Sequence, residues 1–332
     1  MAPLVAPLAE AQLGGAQAFV TDLARALSAR GHEVTVYCPA GSRLDGLRLV
    51  EIPTPDLSAA RVRPAALSSP ELPEVRDAFA RCFELVERAR PDVVSQHAFD
   101  AEAIEEAARV SARVIHTLHL PPVSPRVVEA ARATADSLLT VSRACAESWA
   151  REGVRAAVVA NGVPDFDPGR PPVEPWAMIA GRVSPEKGTH LAVELALAAG
   201  LRPRVFGNVY DEAYADRHGI RTEGSLPRGE LWRLMARCAV TLMPVAWDEP
   251  FGLVAAESQV AGTPVVAHRR GGLPEVVVEG VSGFLVASGD TAGFLEAIGR
   301  ALRFDRSAVR ASARSRLLID RAAAEYERML GA

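Results

Sequence analysis

The strongest constraint on this chain is a rhythm. Short apolar runs of strand length alternate with longer amphipathic helical stretches, twice over, along 332 residues. In the first round "LGG" (13–15) opens a helical pattern that places Val20, Leu23, Ala24 and Leu27 on one face. The pattern stops at Gly31, and "EVTVYC" (33–38) follows as a strand; residues 3–8 are expected to form the strand before the helix. Strand, glycine-rich turn, helix and strand in succession make a βαβ unit, which requires a parallel sheet covered by helices. The rhythm continues with a strand at 91–97, a helix at 101–110, and strands at 112–119, 137–142 and 156–162.

At 164–175 the chain reads "PDFDPGRPPVEP", rich in proline and poor in aliphatic side chains, as a linker between domains does. Beyond it the alternation restarts. Strands are expected at 176–182, 202–207, 240–245 and 264–268, and helices at 188–199, 228–238 and 252–261. The reading is an α/β protein of two doubly wound domains, 1–163 and 164–306, each long enough for its own core and together leaving a cleft. The tail, 307–332, is helical in character. Its pattern alone leaves open which domain it docks on, and packing back on the first is the option carried forward.

Composition narrows the function. No apolar run approaches the ~18 residues of a membrane span, and the first twelve residues lack a basic segment and are broken by Pro3, Pro7 and Glu10, unlike a signal peptide. A cytoplasmic protein with at most peripheral membrane contact is expected. A net charge of -4 gives no sign of a nucleic-acid binder. Cys38, Cys82, Cys145 and Cys238 are too dispersed for a metal cluster and read as free buried thiols. The arginine-rich stretch 306–316 reads as a solvated helical face. The oligomeric state stays open.

In an open α/β sheet, ligands bind beyond the carboxyl ends of the strands. The first such turn of the second domain is "AGRVSPEKGTH" (180–190), with Arg182 and Lys187 five positions apart. A guanidinium and an ammonium beside a helix start suit a diphosphate; taken alone, such a pair is more often two solvated surface cations. Lys187 precedes its glycine, so the loop is not a P-loop, and "LGGAQAF" lacks the spacing of a dinucleotide-binding dehydrogenase. After the strand at 240–245 comes "DEPFGLVAAE" (248–257). With a helix starting near Phe251 or Gly252, Glu249 sits above the strand end and Glu257 lies roughly 8 to 9 Å further along the axis. Between them stand the amides of Phe251, Gly252 and Leu253, with Gly252 letting an anion approach the backbone. Acceptor, donor cluster, acceptor is the order that sugar hydroxyls, diphosphate and ribose would meet. The alternative is a helix N-terminal acid and a solvent-facing one. Against it, Glu257 is embedded in an apolar helix, and a buried carboxylate needs a partner.

"GRVSPEKG", "GSLPRGEL" (224–231), "EPFGLVAAE", "AGTPVVA" and "GGLPEVVVEGVSGFLV" (271–286) resemble, in order and spacing, the donor domain of retaining glycosyltransferases of family 4. "GHEVTVYC", "PDVVSQH", "HTLH" and "LLTVS" extend a looser likeness into the first domain. The resemblance implies a GT-B fold, two Rossmann-like domains facing across a cleft. It implies transfer from a nucleoside diphosphate sugar of UDP or GDP type to a small-molecule, glycan or lipid-linked acceptor. It implies that Arg182 and Lys187 hold the diphosphate, Glu249 the transferred sugar and Glu257 the ribose. Phe251, Gly252, Leu253 and Val254 would offer backbone amides, and Gly14 and Gly15 amides of the first domain. Backbone near Gly207, Asn208 and Leu226 would read the base, and His97 would line the sugar subsite. A lone histidine at a strand end is also ordinary capping, and His119 is weaker still. Ser95 and Gln17 depart from the family pattern. No cofactor or metal is expected, "DFD" (165–167) lying in the linker. The competing readings are a nucleotide-sugar 2-epimerase of the same architecture and a non-catalytic sugar-nucleotide or glycan-binding protein.

Overall fold

The computed structural model describes residues 1–9, 14–54, 73–134 and 137–331. Leu13, the first residue of the expected "LGG" turn, lies outside them. The chain divides into two units, Met1–Asn161 with Ile319–Ala332, and Gly162–Leu318.

The first unit opens with helix α1 (Gly15–Ala29), followed by strands β1 (Thr35–Pro39) and β2 (Arg48–Ile52) and helix α2 (Pro73–Ala89). Then β3 (Val93–Gln96), α3 (Ala101–Ala107), β4 (Arg113–Leu118), α4 (Pro125–Arg132), β5 (Leu138–Thr140), α5 (Arg143–Arg151) and β6 (Ala157–Val158) alternate. Every described strand pairing here is parallel. Residues 3–8 are not a strand: Pro3 and Pro7 lack the amide hydrogens a ladder needs. Instead Ala2 donates to the Tyr37 carbonyl at 2.9 Å and His97 donates to that of Met1 at 3.0 Å, so the chain start stitches β1 to the β3 side. Val20, Leu23, Ala24 and Leu27 of α1 are all buried, as their spacing predicts. Phe79, Cys82, Phe83 and Val86 of α2 form one core with Ile52 and Val94.

The second unit runs β7 (Glu174–Ala180), α6 (Thr189–Ala198), β8 (Arg202–Phe206), α7 (Glu212–Arg217), α8 (Arg228–Arg237), β9 (Cys238–Met243), α9 (Leu253–Val260), β10 (Val265–His268), α10 (Leu273–Val276), β11 (Gly283–Val286), α11 (Thr291–Ala301) and α12 (Arg306–Arg314). Its sheet is parallel in the order β11-β10-β9-β7-β8. Val205, Val240, Leu242 and Val266 of the strands pack with Leu195, Phe294 and Ile298 of the helices.

The tail read as one helical segment is two helices with different attachments. α12 belongs to the second unit, whereas α13 (Ile319–Leu330) belongs to the first, where it packs along α1. There the Tyr326 hydroxyl meets Thr117 Oγ1 at 2.9 Å, and Glu327 accepts from Arg30 Nε at 2.7 Å.

Candidate functional site

In the second unit the chain leaves β7 for β8 on one side of the sheet and returns to β9 on the other. The carboxyl ends of β7 and β9 therefore mark the switch point, where the connecting loops diverge and ligands bind in such sheets. Arg182 and Lys187 stand in the loop after β7, and Glu249 in the loop after β9.

Backbone bonds tie these loops together. The Ala246 amide donates to the Glu186 carbonyl at 2.8 Å, and the Val183 amide to that of Asn208 at 2.9 Å. Gly207 has a φ of +134°, and a Cβ there would come within 1.9 Å of the Gly181 carbonyl oxygen, so only glycine allows the loops after β7 and β8 to touch. Its amide donates to the Gly224 carbonyl at 2.9 Å, and Ser225 Oγ meets Asn208 Oδ1 at 2.9 Å, bringing the 224–226 segment alongside. Leu226 and Val254 pack on one apolar cluster with Phe206 and Met235.

The side chains converge as well. Lys187 Nζ donates to Glu249 Oε2 at 2.6 Å, and the Trp247 indole N–H donates to the same oxygen at 2.7 Å. Lys187 Nζ lies 4.7 Å from the centroid of the Trp247 ring, and the Arg182 guanidinium 5.8 Å from it. Arg182 also lies 5.5 Å from the Tyr210 ring and 3.5 Å from Glu186 Oε1. At 33% side-chain exposure, against 19% for Lys187 and 11% for Glu249, Arg182 is the more open cation. An ammonium has three donors; Glu249 takes one, so Lys187 retains others for an anion beside Arg182.

Helix α9 starts at Leu253, slightly later than the sequence suggests. Gly252 caps it with a φ of +100°, a conformation that a side chain strains, and Phe251 is buried beneath the turn. Ala256 is bonded to the Gly252 carbonyl at 3.1 Å. The amides at the helix start are thus those of Leu253, Val254 and Ala255 rather than of Phe251, Gly252 and Leu253. Glu257 lies about 6 Å along the axis from Leu253. Its carboxylate is buried and has the partner it needs: Arg228, at the start of α8, reaches Oε1 with Nη2 at 2.7 Å and Nε at 3.0 Å. The Arg228 guanidinium lies 4.8 Å from the Trp232 ring centroid, and Trp232 stacks on Phe166 at 4.2 Å.

Gly14, Gly15 and His97 lie in the first unit. Gly14 caps α1 in extended backbone and Gly15 is its first residue. His97 is 2% exposed, and both ring nitrogens are engaged: Nε2 lies 2.8 Å from Ser95 Oγ and Nδ1 2.9 Å from His119 Nε2. Phe19 and Tyr326 pack around the pair. Burial, and then the neighbouring His119, hold the His97 pKa well below its ordinary value; burial takes His119 down to about 4. Both rings are neutral at pH 7, one donating to the other.

Two sequence expectations fare differently. "DFD" is bound by arginines: Arg314 pairs with Asp165, and Arg310 reaches Asp167 at 3.3 Å. Within 306–316, Ser307, Ala308, Ala311, Arg314 and Ser315 are exposed, so the solvated-face reading holds in part, but Arg306 and Arg310 are anchored. Arg306 is largely withdrawn from water and donates to the carbonyls of Ala236 at 2.7 Å and Cys238 at 2.9 Å, and to Thr263 Oγ1 at 2.5 Å. Among the described residues, no group of three or more His, Cys, Asp or Glu could hold a metal ion, and no helix is long and apolar enough to cross a membrane. Trp247 and Tyr210 escaped sequence reasoning because nothing in their spacing marks an aromatic as a cation platform. Arg228 carried a signal, the unpartnered Glu257 in a buried helix.

Residues 165–317 match the family described as Glycosyl transferases group 1, and residues 13–165 match Glycosyltransferase Family 4. The chain is 30% identical to a D-inositol 3-phosphate glycosyltransferase of Xylanimonas cellulosilytica over 91% of its own length and 87% of the relative's. It is 28% identical to a glycogen synthase of Mycobacterium tuberculosis, over 93% and 87%. Among solved structures, Anabaena Alr3699/HepE in complex with UDP and glucose superposes with a TM-score of 0.71 at 20% identity, covering 97% of each chain.

Proposed function

The chain belongs to the group 1 glycosyl transferases and has their GT-B type fold of two Rossmann-like domains, and from that premise we propose that it moves a sugar from a nucleoside diphosphate sugar to an acceptor hydroxyl with retention of anomeric configuration. The observation that carries this reading is the meeting of Arg182, Lys187 and Glu249 at the carboxyl ends of β7 and β9. Two cations and a helix start suit a diphosphate, and a carboxylate beside them suits the hydroxyls of the attached sugar.

Glu249 is a poor nucleophile, because Oε2 is held by Lys187 and Trp247. That favours front-face displacement: the bond from the anomeric carbon to the phosphate oxygen breaks, and that oxygen accepts the acceptor's proton as the hydroxyl attacks from the same side. Arg182 and Lys187 offset the charge that grows on the leaving diphosphate. Glu257 holds the ribose, while backbone at Gly207, Asn208 and Leu226 meets the base. With Asp165 and Asp167 engaged by arginines, the diphosphate is neutralised by side chains rather than by a metal. The complex of the Anabaena neighbour with UDP and glucose supports a UDP-type donor. The acceptor is a small molecule, a glycan or a lipid-linked sugar.

A thermal-shift panel of nucleoside diphosphate sugars tests the donor class, since a ligand at 100 times its dissociation constant stabilises by ~2.7 kcal/mol. Nucleotide release that rises on adding an acceptor, with a product of unchanged anomeric configuration by proton NMR, is the expected outcome. A panel in which no nucleotide sugar stabilises the protein would contradict the proposal.

A further inference from the structure

Trp247 stands two residues before Glu249 and has no place in the donor contacts just described, yet it touches each of the three charged side chains. Its indole N–H reaches Glu249 Oε2 at 2.7 Å, its ring face lies 4.7 Å from the Lys187 ammonium, and Arg182 stands 5.8 Å from the same ring. Resting on the donor-site reading above, we infer that Trp247 is a positioning residue that sets which part of the Glu249 carboxylate is left for the donor sugar.

Lys187 and Trp247 both donate to Oε2 of Glu249, at 2.6 and 2.7 Å, so the protein loads one oxygen with two donors, and neither of them falls on Oε1. A carboxylate with both oxygens free grips two vicinal hydroxyls. One with a single available oxygen offers only the lone-pair sites of that oxygen, and their direction is fixed by the indole. Lys187 alone does not fix that direction, because an ammonium on four methylenes follows the carboxylate wherever it turns. The indole N–H sits on a rigid ring with two side-chain torsions, so it holds the angle. The same ring presents its negative face to Lys187 and Arg182 and keeps two like charges side by side for the diphosphate. Trp247 is therefore a specificity determinant for the transferred sugar acting through Glu249, not a group that touches the reacting atoms.

The test uses Trp247→Phe, which keeps a ring for the cations and removes the N–H, in the full chain. Titration of the free nucleoside diphosphate and of the matching nucleotide sugar is compared with the unsubstituted protein. Loss of a hydrogen bond to a charged group weakens sugar-nucleotide binding by about 10- to 100-fold. A retained aromatic face limits the change for the free nucleotide to about threefold. Equal losses for both ligands, or no loss for either, would overturn the inference. An NMR experiment without any donor separates it from the donor reading. The indole resonance of Trp247, assigned through Trp247→Phe, is expected to shift in Glu249→Gln; an unmoved resonance overturns the contact itself, whatever the donor. Failure of every nucleotide sugar to bind the unsubstituted protein, by contrast, overturns the donor reading and with it the role assigned to Trp247.

Discussion

Lys187 and Glu249, 62 positions apart in sequence, meet at 2.6 Å where the loops after β7 and β9 converge. The pair lies at the centre of the candidate site, and in the proposed function it joins the cation assigned to the leaving diphosphate to the carboxylate assigned to the sugar.

Lys187→Ala is expected to lower kcat by about two to three orders of magnitude, the usual cost of removing a preorganised donor to developing charge. Glu249 keeps the Trp247 N–H, so the loss of stability stays near 1–2 kcal/mol. Turnover with the donor found by thermal shift, beside a melting curve, checks both; near-normal turnover would remove Lys187 from the chemistry.

Arg228 and Glu257 form a second pair, with side chains 15% and 8% exposed. Removing one partner strands the other, so Arg228→Ala is expected to destabilise the second unit by about 3 kcal/mol. Arg228→Met combined with Glu257→Gln should recover part of that, because no buried charge is then left alone. Urea unfolding of Arg228→Met, Glu257→Gln and the combined variant measures the recovery; additive losses would contradict the coupling.

Arg306 joins α12 to the junction of α8 and β9 by donating to two carbonyls and a hydroxyl. Arg306→Ala removes the donor to all three, the Thr263 hydroxyl keeping its bond to the Met235 carbonyl at 2.6 Å, and is expected to cost about 2–4 kcal/mol. Arg306→Lys should not rescue it, since an ammonium cannot span the same fork of acceptors. Thermal melting of both variants distinguishes this from a surface arginine, for which neither change would matter.

The first unit should be acid-sensitive. Burial lowers the pKa of His116 and His119 from 6.5 to about 4. A histidine whose folded value lies below its unfolded one binds a proton more readily when unfolded. Its contribution is therefore complete above pH 6.5 and is lost as pH falls toward 4, at about 1.4 kcal/mol per pH unit for each ring. Melting temperatures between pH 7 and pH 4.5 should fall steeply, and His116→Phe should flatten the slope. A flat profile in the unsubstituted protein would contradict the burial.

Much of this architecture was legible in the sequence, and the reasons for the rest are physical. The alternation of periods located α1, β1, β3, α3, β4 and β5 in the first unit and β7 to β10 with α6, α8 and α9 in the second, but not β2, α2 or β11; Gly31 lies just past the end of α1, and the proline-rich 164–175 lies within the second unit, which begins at Gly162. Pro3 and Pro7 removed a strand that the apolar run around them suggested. Arg306, Arg310 and Arg314 sit four apart, the spacing of a solvated face, and only the carbonyls brought to Arg306 and Arg310 by α8, β9 and the 164–175 segment show that these two are anchored, while Arg314 stays exposed. The loops that hold Arg182, Lys187 and Glu249 could be located from strand ends. Trp247 and Tyr210 could not be placed in the site, because a cation above an aromatic ring depends on tertiary contact alone.

The most direct test of the account is a calorimetric titration of Glu249→Gln and Glu257→Gln with a nucleotide sugar and with its free nucleoside diphosphate. Glu249→Gln should weaken the sugar nucleotide while leaving the free nucleotide unchanged, and Glu257→Gln should weaken both. Equal weakening of the free nucleotide by the two substitutions would contradict the assignment of sugar to one carboxylate and ribose to the other.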